Sequence, residues 1–152
     1  MSTVFDLNIS VQAEHIDALG HVNNVVYVSW MQDVALAHID QLGLGIAQYL
    51  ELKHAMVAVE HHMQYRKAAL EGDEVILRTW LSEISAMYLF RQYVFYRPRD
   101  QSILFVANTK WACIEIETGR PKRISPTFSH AYQPIAEEVN ALDFSKHYTF
   151  EA

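Results

Sequence analysis

The stretch Asp17-Ala-Leu-Gly-His-Val-Asn-Asn24 gathers a carboxylate, an imidazole and two carboxamides immediately ahead of a segment with helical periodicity. The first turn of a helix presents unpaired N–H donors and the positive end of the macrodipole, which suit an anion or the oxyanion that develops on a carbonyl under attack. A carboxylate facing such donors can act as general base or nucleophile. The same residue types also build an Asx turn and a helix N-cap, and spacing alone favours that plainer use.

Other chemistry-bearing residues have less support. Glu60 lies in the apolar run Met56-Val57-Ala58-Val59-Glu60, which is expected to line the helix; strand alternation equally allows Glu60 to face solvent or to pair with a base. His61 and His62 are adjacent, so a strand points them to opposite faces, and no second ligand pair stands at a metal-binding spacing. Ser10, Ser29 and Cys113 lack a nucleophile-elbow context or an evident base, which argues against a serine or cysteine hydrolase.

The elements that must position these residues are legible as changes of period. Phe5 to Gln12 alternates apolar and polar residues, the mark of a half-buried strand. From Val25 to Leu42, Tyr27, Trp30, Met31, Val34, His38 and Leu42 recur at helical steps, with Asn23 or Asn24 placed to cap the start and Gly43 to stop the end. After a Gly-containing connection come four extended runs, about Ala55 to Arg66, Asp73 to Ser85, Met87 to Arg97 and Ile103 to Ile116, separated by turn-forming residues. This order predicts an α+β domain in which an antiparallel meander curves around one long helix. Beyond Pro126 a short helix is expected, interrupted by Pro134.

A chain of 152 residues with no repeats or low-complexity segments reads as one domain spanning 1–152, with a core of about 5–125 and a C-terminal extension over 126–152. A net charge of −6 and the lack of a long Lys/Arg block argue against nucleic acid or an anionic membrane as partner. One cysteine excludes an intramolecular disulfide and a thiolate metal cluster, and a cytoplasmic setting is expected. The N-terminus has neither the basic start nor the apolar run of a secretory signal, and no stretch is long enough to span a bilayer.

Asp17, Gly20 and Tyr27 resemble the pattern of the 4-hydroxybenzoyl-CoA thioesterase-like branch of the hotdog superfamily, an Asp, two residues, a Gly, then the active-site helix. The run His21-Val22-Asn23-Asn24-Val25-Val26-Tyr27 is similar to plant-type acyl-carrier-protein thioesterases, and Tyr65 to Val75 resembles the family's strand junction with its Gly-Asp turn. The likeness covers roughly residues 5 to 125. It implies the hotdog fold, a long central helix wrapped by a curved antiparallel five-stranded sheet, and hydrolysis of an acyl-CoA, aliphatic or aromatic.

By position, the resemblance implies Asp17 as base or nucleophile, the backbone at Asn24 on the oxyanion side, and His21 as a provisional contributor. Tyr27, Trp30, Met31, Val59 and Glu60 become candidates for contact with the acyl group. The carrier-protein relatives have an Asn where this chain has Leu19, and many bacterial acyl-CoA relatives have a His where it has Asn24. Arg66, Lys67, Arg97, Arg99, Lys110, Arg120, Lys122 and Arg123 are candidates for the CoA phosphates. Some relatives carry a basic cluster between the third and fourth strands, where this chain has Ser85-Ala86-Met87. The resemblance implies no metal and no cofactor beyond the CoA of the substrate, and a homodimer or homotetramer with sites between subunits. An acyl-carrier-protein thioesterase and a non-catalytic acyl-thioester-binding protein are the competing functions; a hotdog dehydratase would need a His followed by Pro-Gly, which is missing.

Overall fold

The apolar-polar alternation of the N-terminal segment forms strand β1, Val4–Ser10, and the helical periodicity after Asn23 forms helix α1, Asn24–Gln41. The computed structural model describes residues 4–135 and 140–148. Helix α2, Ile46–Leu52, follows, then strands β2 (His54–Tyr65), β3 (Glu74–Ile84), β4 (Tyr88–Arg97) and β5 (Ser102–Glu115), and helix α3, Pro126–Ala131. Helix α2 is not expected from the sequence. Gly43 and Gly45 punctuate the connection so closely that a helix of 7 residues between them and β2 leaves little periodicity to detect.

The strands form one antiparallel sheet in the order β1-β3-β4-β5-β2, with β1 and β2 at its edges. Only β3-β4-β5 is a meander, so the expectation of four runs joined successively needs correction. Tight turns join β3 to β4 and β4 to β5, but β2 pairs with β5 on the far edge from β1. The link from Arg66 to Asp73 therefore crosses one end of the sheet. It is tied to β5 by Arg66 N–H on Leu104 O at 2.8 Å and to the β1 side by Gly72 N–H on Val11 O at 2.9 Å. Gly72 has φ +85°, a conformation that costs a side-chain-bearing residue and suits glycine.

Register shifts at Ala58/Glu60, Leu81/Glu83 and Phe95/Tyr96 interrupt three of the strand pairs. Such bulges add local twist, which helps an open sheet to curl around a helix. Tyr27, Trp30, Met31, Val34 and Ala35 of α1 pack against Phe5, Val75, Leu77, Tyr93, Phe95 and Phe105 on the inner face. Burying each large apolar side chain contributes about 1.5–3 kcal/mol, so this contact fixes how deep the helix sits.

On the outer face, Arg78 and Asp6 form a fully buried pair, Nε to Oδ1 at 2.8 Å and Nη2 to Oδ2 at 2.9 Å. Arg78 also donates to the carbonyls of Ala141, Asp143 and Lys146, while Phe144 stacks on Tyr96 with centroids 4.0 Å apart. The C-terminal segment is thereby strapped to β1, β3 and β4. Among the described residues, no helix is long and apolar enough to cross a membrane.

Asp6→Ala leaves a buried guanidinium without its counter-charge and is expected to lower unfolding free energy by about 3–5 kcal/mol. Urea unfolding followed by circular dichroism measures it; a change within experimental error would show that the strap carries no stability.

Candidate active site

The loop between β1 and α1 is shaped by Asp17 itself. Asp17 Oδ1 accepts the N–H of Leu19 at 2.9 Å and of His21 at 3.4 Å, and the Asp17 N–H donates to His21 O at 2.8 Å. Gly20 closes this turn with φ +80°. Asp17 Oδ2 has no hydrogen bond among the described residues, so one oxygen orients the carboxylate and the other is available for chemistry.

The start of α1 is fixed by short-range capping and by contacts to the crossing link. Asn23 Oδ1 accepts the Val25 N–H at 3.1 Å, the N-cap that the sequence suggests. Val22 N–H donates to Ala69 O at 3.0 Å, Tyr65 Oη donates to Asn24 O at 3.0 Å, and Tyr27 Oη accepts the Ala69 N–H at 3.3 Å. Burial pushes the Tyr27 phenol above its ordinary range, so it stays protonated and neutral. Among the described residues, no acceptor takes the Asn24 N–H, which leaves that backbone donor at the helix start uncommitted.

A cavity of about 340 Å³ opens at this junction, with Asp17, His21, Asn24 and Tyr27 in its wall and Arg66 and Lys67 at its other side. These six residues, all named from the sequence, are thus brought together. The others are placed elsewhere: Trp30 and Met31 sit in the core beside Tyr27, whereas Val59 and Glu60 are exposed on edge strand β2, and none of these lines this cavity. Of the basic candidates, Arg97 is committed to Asp73 and Asp100, both at 2.8 Å, Arg99 reaches Asp73 at 3.1 Å, and Lys110 lies over the Tyr88 ring. Arg66 and Lys67 remain exposed beside the Asp17 cavity. Among the described residues, no cluster of His, Cys, Asp and Glu could hold a metal ion.

A second cavity, of about 250 Å³, lies farther along α1 between the helix, α2 and the inner face of the sheet. Its wall is largely apolar but contains Arg91, which sequence reading passes over because a charged residue on a strand ordinarily faces water. Arg91 is buried, and its Nη1 lies 2.8 Å from His38 Nδ1 and donates to Thr79 Oγ1 at 3.1 Å. Burial, reinforced by the Arg91 charge, pushes His38 down to about 3, so its Nδ1 accepts and the ring is neutral. Beside them the Tyr49 and Tyr132 hydroxyls are 2.6 Å apart.

The model of the thioesterase-like superfamily matches residues 11–132 of the chain. An acyl-acyl-carrier-protein thioesterase from Arabidopsis thaliana chloroplasts, ATL3, is 24% identical over 105 residues, 68% of this chain and 55% of its own; the chain therefore spans about half of that relative's length. The Staphylococcus aureus protein SAV2348, solved in complex with CoA, superposes with a TM-score of 0.81 at 19% identity and covers 94% of both chains. Slr0204, a 1,4-dihydroxy-2-naphthoyl-CoA thioesterase from Synechocystis, gives a TM-score of 0.78 at 15% identity, over 85% of this chain and 95% of its own. These likenesses establish the hotdog fold for the sheet and helix described above.

The neutral state of His38 has a pH signature. Its folded pKa lies below the unfolded value of 6.5, so the unfolded chain takes up the extra proton and stability is lost as pH falls from about 6.5 toward about 3. Denaturant titrations between neutral and mildly acidic pH should show a slope of ~1.4 kcal/mol per pH unit that His38→Gln removes. An identical slope in both proteins would show that another group controls acid stability.

Proposed function

We propose that this chain, which belongs to the thioesterase-like superfamily, is a thioester hydrolase whose substrate is an acyl-CoA attacked at a site centred on Asp17. The observation that carries this reading is the division of labour within one carboxylate. Oδ1 is anchored by two backbone N–H groups, while Oδ2 has no partner among the described residues and shares a cavity wall with the start of α1.

In the proposed reaction the thioester carbonyl oxygen points at the Asn24 N–H, where developing negative charge meets a preorganised donor and the helix dipole. Asp17 either attacks the acyl carbon, giving an anhydride that water then opens, or takes a proton from a water that attacks directly. In both routes the C–S bond breaks, water supplies the new acid oxygen, and CoA leaves as the thiol after protonation. His21, exposed at the cavity mouth, is a candidate to manage that proton. Arg66 and Lys67 at the rim suit the CoA phosphates. This chemistry requires neither a metal nor a redox cofactor.

Edge strand β2 bears on the quaternary arrangement. Among the described residues its outer edge is unpaired, and Val59, Met63 and Tyr65 are exposed along it, a combination that invites pairing with a second copy. An antiparallel β2–β2 pairing centred near Val59 and Glu60 would set the Tyr65 end of one strand against the His54 end of the other. The Asp17 cavity of one protomer would then face the Arg91 cavity of its partner, giving a route for the acyl group across the interface. The plant relative favours a second reading, in which the acyl group arrives on a carrier protein; assay of one acyl group on both carriers distinguishes them.

Asp17→Ala is expected to lower kcat by roughly 10²- to 10⁴-fold with the fold retained, and His21→Ala to have a smaller effect. Steady-state release of CoA thiol measures both. Wild-type turnover by a folded Asp17→Ala protein would overturn the assignment, and binding without hydrolysis across aliphatic and aromatic acyl-CoAs would overturn the enzymatic reading. Light scattering should give the mass of two or four chains; a monomer at assay concentration would refute the shared-interface arrangement.

A further inference from the structure

The second cavity is unusual in what it offers a ligand. Its walls come largely from apolar side chains, Ala35, Leu36 and Ile39 of α1, Ile46 of α2 and Met56 and Leu89 of the sheet, with the exposed Gln32 carboxamide also lining it. Set into this surface are hydrogen-bond donors with too few acceptors. Arg91 is 2% exposed, and among the described residues it has no carboxylate partner: its hydrogen bonds run from Nη1 to His38 Nδ1 and Thr79 Oγ1, leaving Nε and Nη2 without one. The Trp111 Nε1–H, in the same wall, is buried and lies near the Tyr93 hydroxyl, but among the described residues it meets no partner at hydrogen-bonding geometry. The Tyr49 and Tyr132 hydroxyls bond to each other, which uses the proton of one and leaves the other to donate.

A guanidinium held in an apolar wall costs several kcal/mol of desolvation unless an anion repays it. Elsewhere in this chain buried arginines are paired: Arg78 with Asp6, and Arg97 with Asp73 and Asp100. Among the described residues Arg91 departs from that pattern, and it does so in the wall of a cavity. His38 cannot supply the charge, since it is neutral, and the tyrosines are protonated.

We propose that this cavity is the acyl-recognition pocket and that Arg91 selects acyl thioesters carrying a carboxylate at the end remote from the thioester. The proposal rests on the acyl-CoA reading above and deepens it. The apolar wall takes the methylene chain, the carboxylate completes the Arg91 ion pair and accepts from the Trp111 Nε1–H, and the thioester end reaches the Asp17 cavity across the β2 edge. A neutral acyl chain of equal length fills the same apolar space but leaves the guanidinium unpaired. Selectivity between the two is therefore set by one charged hydrogen-bonded contact, roughly 10- to 100-fold.

The test compares kcat/KM of the intact protein for glutaryl-, adipyl- and suberyl-CoA with that for valeryl-, hexanoyl- and octanoyl-CoA. At the favoured length the carboxylated substrate should lead by roughly 10- to 100-fold, and Arg91→Met should erase that ratio while Arg91→Lys keeps part of it. Equal or better turnover of the neutral series by the wild-type protein overturns the Arg91 proposal and leaves the thioesterase reading standing. If neither series is hydrolysed, the thioesterase reading is decided separately by the aromatic acyl-CoAs, and calorimetry with hexanoate against hexan-1-ol decides the cavity. Tighter binding of the anion, lost in Arg91→Met, supports an anion-selective pocket; equal binding, or no binding of either, removes it. The wild-type comparisons stand even if Arg91→Met does not fold.

Discussion

The start of helix α1 is tied to the link that crosses the end of the sheet, and the geometry of the site depends on that tie. Val22 N–H on Ala69 O, Tyr65 Oη on Asn24 O and Ala69 N–H on Tyr27 Oη join the loop, the helix and the link within one patch of structure. None of these bonds is strong alone; net contributions near 1 kcal/mol are usual. Together they fix where the uncommitted N–H of Asn24 lies relative to the Asp17 carboxylate. The link can lie there only because β2 pairs with β5 on the far edge, which forces the chain back across the sheet end to begin β3.

Two kinds of buried arginine reflect two demands on the same sheet. Arg78 on the outer face binds the C-terminal segment and is matched by Asp6 and backbone carbonyls, so its charge is fully answered within the fold. Arg91 on the inner face meets a neutral imidazole, a hydroxyl and an apolar cavity. A packed hydrophobic residue there would be the simpler core. A charge without a carboxylate partner among the described residues makes physical sense when a ligand completes it, which is how the proposed choice of acyl group would depend on the packing of the sheet.

Much of this was legible in the residues. The period of two from Phe5 and the helical spacing of Tyr27, Trp30, Met31 and Val34 mark β1 and α1 because each buries one face, and the four extended runs coincide with β2 to β5 within a residue or so at each end. Strand order was not legible, because periodicity reports which face is buried and says nothing about which strand lies alongside. Helix α2 was hidden by its length and its glycines. At Asp17 spacing offers a plain role and a chemical one as alternatives; the structure assigns the Asx-type turn to Oδ1 and, among the described residues, gives Oδ2 no partner. Arg91 was passed over for a different reason: a single charge in an alternating strand looks solvent-facing until α1 is seen to cover it.

The relation between Asp17 Oδ2 and the Asn24 N–H is the central claim, and a crystal structure with a non-hydrolysable acyl-CoA ketone, in which a methylene replaces the thioester sulfur, tests it most directly. The carbonyl oxygen should lie about 2.7–3.1 Å from the Asn24 nitrogen. Its carbon should lie ~3–3.5 Å from Asp17 Oδ2, or from a water held by that oxygen. A carbonyl bound away from the start of α1, with Asp17 out of reach, would contradict the account.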